Sequence, residues 1–202
     1  MMLRGVDVSR YQSPAAMPWG HLREAGFTFA IVKASDGVRR DPVLLQHVRL
    51  ARDAGFTVGA YHFFRQHVPA AAQLDAFLSA MDAIGYGPGW IVPALDIEQG
   101  PTSDGPPRPE LFACAEPIAL SLRCVAGECL IYGGVGFLSA IGKPDWWLDF
   151  PLWVAHYTKA SEPLTPGGAP WRIWQHASAP IAGIYSAKLD QNIAPEPLPL
   201  VS

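Results

Sequence analysis

One short device occurs twice in this chain, and it constrains the fold that the rest must join. Glu24-Ala25-Gly26-Phe27 and Asp53-Ala54-Gly55-Phe56 each read as a helix end, a glycine able to take a left-handed cap, and the start of a strand. The copies begin at Glu24 and Asp53, 29 residues apart, which is about one βα repeat. The same rhythm runs on either side. Apolar runs at 5–9, 27–34, 57–64, 90–98 and 129–133 are followed by helical patterns at 19–25, 42–54, 69–84, 109–122 and 135–141. Runs at 151–157, 172–176 and 188–192 then follow with only loops between them. Strands alternating with helices predict βαβ units and a parallel sheet. Eight strands with five helices in 202 residues predict an α/β fold: a small, TIM-like closed barrel lacking its last helices. An open doubly wound sheet is the alternative, but no Gly-x-Gly-x-x-Gly follows any strand. The expected organisation is one barrel domain over 1–194 and a tail over 195–202, with Pro195, Pro197 and Pro199 keeping it extended.

Composition narrows the function classes. Hydrophobic residues at 50% and charged residues at 16% exclude a disordered chain. A net charge of −3 without a basic run argues against nucleic acid as partner, and Arg39-Arg40 is too short for a phosphate track. No apolar stretch approaches the ~20 residues of a membrane span, and the N-terminus has no apolar signal core. Cys114, Cys124 and Cys129 form no C-x-x-C pair and read as buried, small apolar residues.

Pro93-Ala94-Leu95-Asp96-Ile97-Glu98 is the most informative segment. Alternation along a strand puts Leu95 and Ile97 on one face and Asp96 and Glu98 on the other. With the apolar face on the helices, both acids point into the barrel at its C-terminal mouth. Two such carboxyls raise each other's pKa, so one is held protonated while the other ionises, as glycoside hydrolysis requires. A solvated strand end, or an ion pair with Lys33, is the other reading. Asp7, in Gly5-Val6-Asp7-Val8-Ser9, and Asp190, in Leu189-Asp190-Gln191-Asn192, lie on the first and last strands. Those strands are neighbours in a closed barrel, so both acids would flank one side of the mouth. Each alone also fits a cap or turn acid.

These residues resemble family 25 of the glycoside hydrolases, the Chalaropsis-type lysozymes or N-acetylmuramidases. The matching segments run in order: Gly5-Val6-Asp7-Val8-Ser9 with Tyr11-Gln12, then Phe29-Ala30-Ile31-Val32-Lys33-Ala34, Gly59-Ala60-Tyr61-His62-Phe63 and Pro93-Ala94-Leu95-Asp96-Ile97-Glu98. They continue with Ile131-Tyr132-Gly133, Leu152-Trp153-Val154-Ala155 with Tyr157, Trp174-Gln175 and Leu189-Asp190-Gln191-Asn192. The resemblance implies a (β/α)5β3 barrel. It also implies cleavage of the β-1,4 bond from N-acetylmuramic acid to N-acetylglucosamine in peptidoglycan. Glu98 would be the general acid/base, Asp96 its partner at the substrate's 2-acetamido group, and Asp7 and Asp190 further site acids. Tyr61 would lie near the scissile sugar. The family's Lys-Ala-Thr-Glu-Gly is here Lys33-Ala34-Ser35-Asp36-Gly37, which touches loop geometry and a substrate contact.

Tyr61, Trp153, Tyr157 and Trp174 stand near strand ends and suit the apolar face of a pyranose, or else fill the core. With Lys33 they complete the expected substrate-binding set. Trp146-Trp147 read as a cap on the barrel bottom. No cofactor or metal is expected. The competing enzyme reading is a zinc-dependent hydrolase or deacetylase on His62, His156 and His176. The competing binding reading is a glycan-binding barrel without chemistry. The expected protein is a monomer acting on glycan strands of the bacterial wall, outside the cell or in the periplasm. It would arrive by phage-lysin-type release or through another delivery system.

Overall fold

The computed structural model describes residues 1–98, 113–141 and 146–202. Among the described residues the nine strands are β1 (Met2–Val8), β2 (Phe27–Asp36), β3 (Arg39–Arg40), β4 (Thr57–Phe63), β5 (Ala94–Asp96), β6 (Leu130–Gly134), β7 (Leu152–Ala155), β8 (Trp171–Ile181) and β9 (Tyr185–Pro195). Among the described residues the α-helices are α1 (Trp19–Glu24), α2 (Leu44–Asp53), α3 (Ala70–Ala83), α4 (Glu116–Ala126) and α5 (Val135–Ile141). The sheet order is β1-β9-β8-β7-β6-β5-β4-β2-β3, and a further β1–β2 pairing closes eight strands into a barrel. From β1 through β2, β4, β5, β6 and β7 to β8 every pairing is parallel, while β9 runs antiparallel to both β8 and β1. Among the described residues α-helices follow only the first five barrel strands, which is the (β/α)5β3 arrangement.

The two repeated devices end their helices as the sequence predicts. Gly26 has φ +86° and Gly55 φ +81°, which side chains with a Cβ rarely adopt. Each amide closes the preceding helix, Gly26 onto the Arg23 carbonyl and Gly55 onto that of Arg52. Helix α2 buries Leu44, His47, Val48 and Ala51, one stripe at helical spacing.

Strand alternation separates two apolar layers. Val6, Val8, Leu95 and Ile97 face outward into the cluster that joins strands to helices. Phe29, Ile31, Tyr61, Ala94, Tyr132, Trp153 and Ile173 face inward and fill the barrel. Gly5 makes room for this filling: a Cβ there would come within 2.3 Å of the Phe29 ring. Overpacking a closed interior costs about 1–3 kcal/mol. Gly5→Ala is therefore expected to lower Tm by about 4–10 °C for a chain of this size, and Phe29→Leu in the same chain is expected to recover part of the loss. Thermal unfolding of the single and double variants checks this.

Several sequence expectations are corrected. The strand expected over 90–98 is regular only at Ala94–Asp96, because Pro93 has no N–H and Ile91 bridges to Leu200 instead. Its hydrogen bonding still extends outward, from the Ile91 amide to the Val58 carbonyl and from the Ile97 amide to that of Tyr132. Strands β8 and β9 are 11 residues each, about twice the expected length, and project as a hairpin. Helix α4 occupies Glu116–Ala126; the expected start at 109 lies outside the described residues. Cys129 is buried, but Cys114 and Cys124 are exposed. Trp146 and Trp147 are buried in the outer layer between strands and helices. The tail runs against Gly89–Val92: the Val92 amide donates to the Pro199 carbonyl and the Val201 amide to that of Trp90. Leu198 and Val201 pack under the inner cluster at the N-terminal end of the barrel. No helix of the described residues is long and apolar enough to cross a membrane.

Candidate active site

The acids lie where their strands end. Asp7 is one residue from the end of β1, Asp96 ends β5, and Glu98 follows two residues later. Asp190 lies on β9 directly opposite Asp7, so their side chains share a face. All four line one cavity of about 460 Å³ at the C-terminal mouth of the parallel strands. Lys33, Tyr61 and Trp153, expected as substrate contacts, line it too. Lys33 forms no ion pair among the described residues; its Nζ stands 4.5 Å from the Phe63 ring centre and 5.4 Å from that of Tyr61. Trp153 is edge-on to Tyr61 at 5.8 Å and tilted against Tyr132 at 4.6 Å, so the three rings form the cavity floor.

Burial sets the proton affinities. Asp96 is 3% exposed, and its Oδ1 has no hydrogen-bond partner among the described residues. Burial first, and Glu98 second, hold its carboxyl well above the usual range, while Lys33 pulls the other way. Burial also raises Glu98, again against Lys33. Burial raises Asp190, with Ser178 across the hairpin opposing. Asp7 is pushed up to about 7 by burial and by Asp190, although two amides donate to its Oδ2, Gln175 Nε2 at 2.9 Å and Asn192 Nδ2 at 2.8 Å.

Those amides are themselves held. The hydroxyls of Tyr157 and Tyr132 donate to Gln175 Oε1 at 2.7 and 3.1 Å, and Trp153 Nε1 donates to Asn192 Oδ1 at 2.8 Å. Each amide therefore has its oxygen engaged and its nitrogen aimed at Asp7. Sequence reading did not single out Gln175, Asn192 or Tyr132 as site residues, although strand parity places Gln175 with the inward Ile173. Tyr157 is 61% exposed and joins the site through its hydroxyl.

Trp174 is not brought to the cavity. It is one residue from the inward Gln175, so it points outward into the helix-side layer, where its Nε1 donates to the His156 carbonyl at 2.7 Å. Its expected sugar contact is corrected accordingly. The histidines are dispersed as well. His62 faces outward, with Nδ1 2.8 Å from Ser35 Oγ and Nε2 3.1 Å from Gln73 Oε1, and burial lowers it to about 4. His156 Nδ1 accepts the Leu164 amide, and His176 packs edge-on to Trp174. Among the described residues no group of three or more His, Cys, Asp or Glu is arranged to hold a metal ion.

A pH-dependent stability follows from Asp7. Its folded affinity for a proton exceeds its unfolded one, so folding takes up a proton between about pH 4 and 7 and stability falls as pH rises through that window. Asp7→Asn removes the penalty while keeping an oxygen for the two amides. The variant is expected to be more stable than the parent at pH 8, on the order of 3 kcal/mol, with the gain vanishing near pH 4. Denaturant melts at the two pH values check the sign.

The model of the glycosyl hydrolases family 25 matches residues 6–184. The chain belongs to this family. It is thus a glycoside hydrolase, with the barrel that solved family structures share. A family 25 glycosyl hydrolase from Bacillus anthracis superposes with TM-score 0.79 at 22% identity, covering 95% of this chain and 88% of that one. A bacterial lysozyme from Streptomyces coelicolor gives TM-score 0.76 at 27% identity, covering 94% and 90%. The protein YegX of Escherichia coli K12 is 29% identical over 198 residues, 95% of this chain and 69% of that protein.

Proposed function

We propose that this family 25 hydrolase is a muramidase that cuts the β-1,4 bond after N-acetylmuramic acid in bacterial peptidoglycan. The observation that carries the reading is the convergence of Asp7, Asp96, Glu98 and Asp190 on one cavity over an aromatic floor. The similarity to the Streptomyces coelicolor lysozyme supports the choice of substrate. Peptidoglycan glycan strands are the partner, and the bacterial wall is the place of action.

Glu98 is the general acid. It borders the open cleft, and its raised affinity keeps a proton available near neutral pH. It gives that proton to the glycosidic oxygen as the C1–O bond breaks. The substrate's 2-acetamido carbonyl oxygen bonds to C1 in its place, so the protein need not supply a nucleophile. Asp96 accepts the acetamido N–H and stabilises the positive charge that develops there. The ionised Glu98 then takes a proton from the water that attacks C1 and regains its starting state. Asp7 and Asp190 hold the sugar on the opposite wall. The preset amides of Gln175 and Asn192 keep Asp7 in one orientation at no reorganisation cost.

Incubating purified sacculi with the protein and identifying the released fragments by mass spectrometry tests the reading. New reducing-end muramic acid is expected. Absence of release would point to a glycan-binding barrel, and deacetylated sugars to a different hydrolase.

A further inference from the structure

We propose that the cleft continues into a cationic subsite, built on the β2–β3 hairpin, that holds carboxylates of the peptide carried by the muramic acid. The proposal rests on the muramidase reading, since that substrate brings such a peptide to the mouth.

A second cavity, of about 360 Å³, adjoins the catalytic one and shares Arg10, Lys33, Asp36 and Arg65 with it. Arg39 and Arg40 add two more basic side chains to its wall. The hairpin puts them there: Gly37 turns the chain at φ +56°, and Asp36 and Ser35 then pair with Arg39 and Arg40. The two acids of this cavity are already engaged. Asp36 Oδ2 accepts Arg65 Nη2 at 2.8 Å. Asp41 is 5% exposed and accepts the backbone amides of Arg10 at 3.1 Å and Val43 at 3.0 Å.

Arg39 and Arg40 are exposed, and among the described residues their side chains make no hydrogen bond or ion pair. They bury no core surface. A protein of net charge −3 thus presents open guanidinium groups beside its acidic cleft. Sugar hydroxyls do not call for cations. A peptide bearing free carboxylates does, and guanidinium binds carboxylate through paired, planar hydrogen bonds. That peptide hangs from the same sugar that enters the cleft, so carboxylate is favoured over phosphate from other wall polymers.

Calorimetric titration at low salt tests the proposal with two soluble probes, a muramyl disaccharide carrying its tetrapeptide and the same disaccharide without peptide. The protein is expected to bind the peptide-bearing probe about fivefold more tightly, the effect of two exposed charge pairs. The preference should shrink as salt is added. It should disappear in the Arg39→Gln/Arg40→Gln variant and be kept only in part in Arg39→Lys/Arg40→Lys, which restores the charge but not the paired hydrogen bonds. Equal binding of the two probes, or a preference that survives the glutamine changes, would overturn the proposal. A glycerol-phosphate oligomer binding more tightly than the peptide probe would overturn the assignment to carboxylate. The measurement needs no turnover: a protein that shows the preference but releases nothing from sacculi fails only the muramidase reading.

Discussion

Glu98→Gln is expected to lower kcat by about 10²–10⁴, with KM little changed and with no loss of thermal stability. Glutamine keeps the size of the side chain and its place two residues beyond the end of β5, but it has no acidic proton to give. The loss amounts to about 3–5.5 kcal/mol of barrel-site barrier lowering. Stability is spared because Glu98 is an acid whose ionised form burial disfavours. Removing the charge relieves that penalty at neutral pH. Changing the leaving group separates acid catalysis from a packing role. An aryl glycoside of N-acetylglucosaminyl-N-acetylmuramic acid, with the good leaving group on the muramic acid C1, needs little proton donation, so the variant's defect should shrink at least tenfold on it. The basic limb of the kcat/KM pH profile should also disappear. An equal defect on both leaving groups, or near-normal activity on glycan strands, would place the general acid elsewhere among the four carboxyls.

How far the sequence reaches can be seen residue by residue. Asp96 was legible because alternation holds through β5, with Leu95 on the helix side, and Glu98 keeps that parity beyond the strand because Ile97 still packs into the helix-side layer. Asp7 was legible for the same reason, between Val6 and Val8. Neutral amides carry no such mark. Gln175 and Asn192 become site residues only because β8 pairs them across to each other and β9 sets Asn192 beside Gly5 of β1. That register is a property of barrel closure, not of either segment. Trp174 shows the opposite failure: its aromatic character suggested a sugar contact, whereas its parity with Ile173 and Gln175 excluded one. Tyr157 lies beyond β7, where alternation no longer applies. The long β8–β9 hairpin escaped because its outer half is made largely of small residues with Pro180 and Gly183 and is partly exposed, so its alternation of Ala177, Ala179 and Ile181 is a weak hydrophobic signal. The arginine pair at 39–40 looked unremarkable along the chain. Its meaning depends on a two-residue strand folding back onto the rim of the cleft.

Asp96→Asn is expected to lower kcat by about 10²–10³, the usual effect of removing one preset electrostatic partner of a developing charge. The reason lies in how Asp96 and Glu98 divide their protons. Both affinities are raised, Asp96 by burial and by Glu98, and Lys33 opposes the rise in each. An acetamido N–H reaching Asp96 favours its ionised form. The repulsion that then raises Glu98 keeps the proton where the glycosidic oxygen can take it. On the proposed mechanism, substrate binding thus sorts the protons of the pair. Asparagine can still accept the N–H, but it cannot balance the charge or repel an ionised Glu98. The defect should therefore be specific to N-acetylated glycan. On de-N-acetylated strands, which lack the internal nucleophile, the parent should already be slow and the substitution should cost little more. The anomeric configuration of the first product is the second readout. Two displacements at C1, by the acetamido oxygen and then by water, retain the β configuration. An inverted first product, or an equal loss on acetylated and de-acetylated strands, would remove Asp96 from this role and leave water activation by one of the opposite-wall acids as the mechanism.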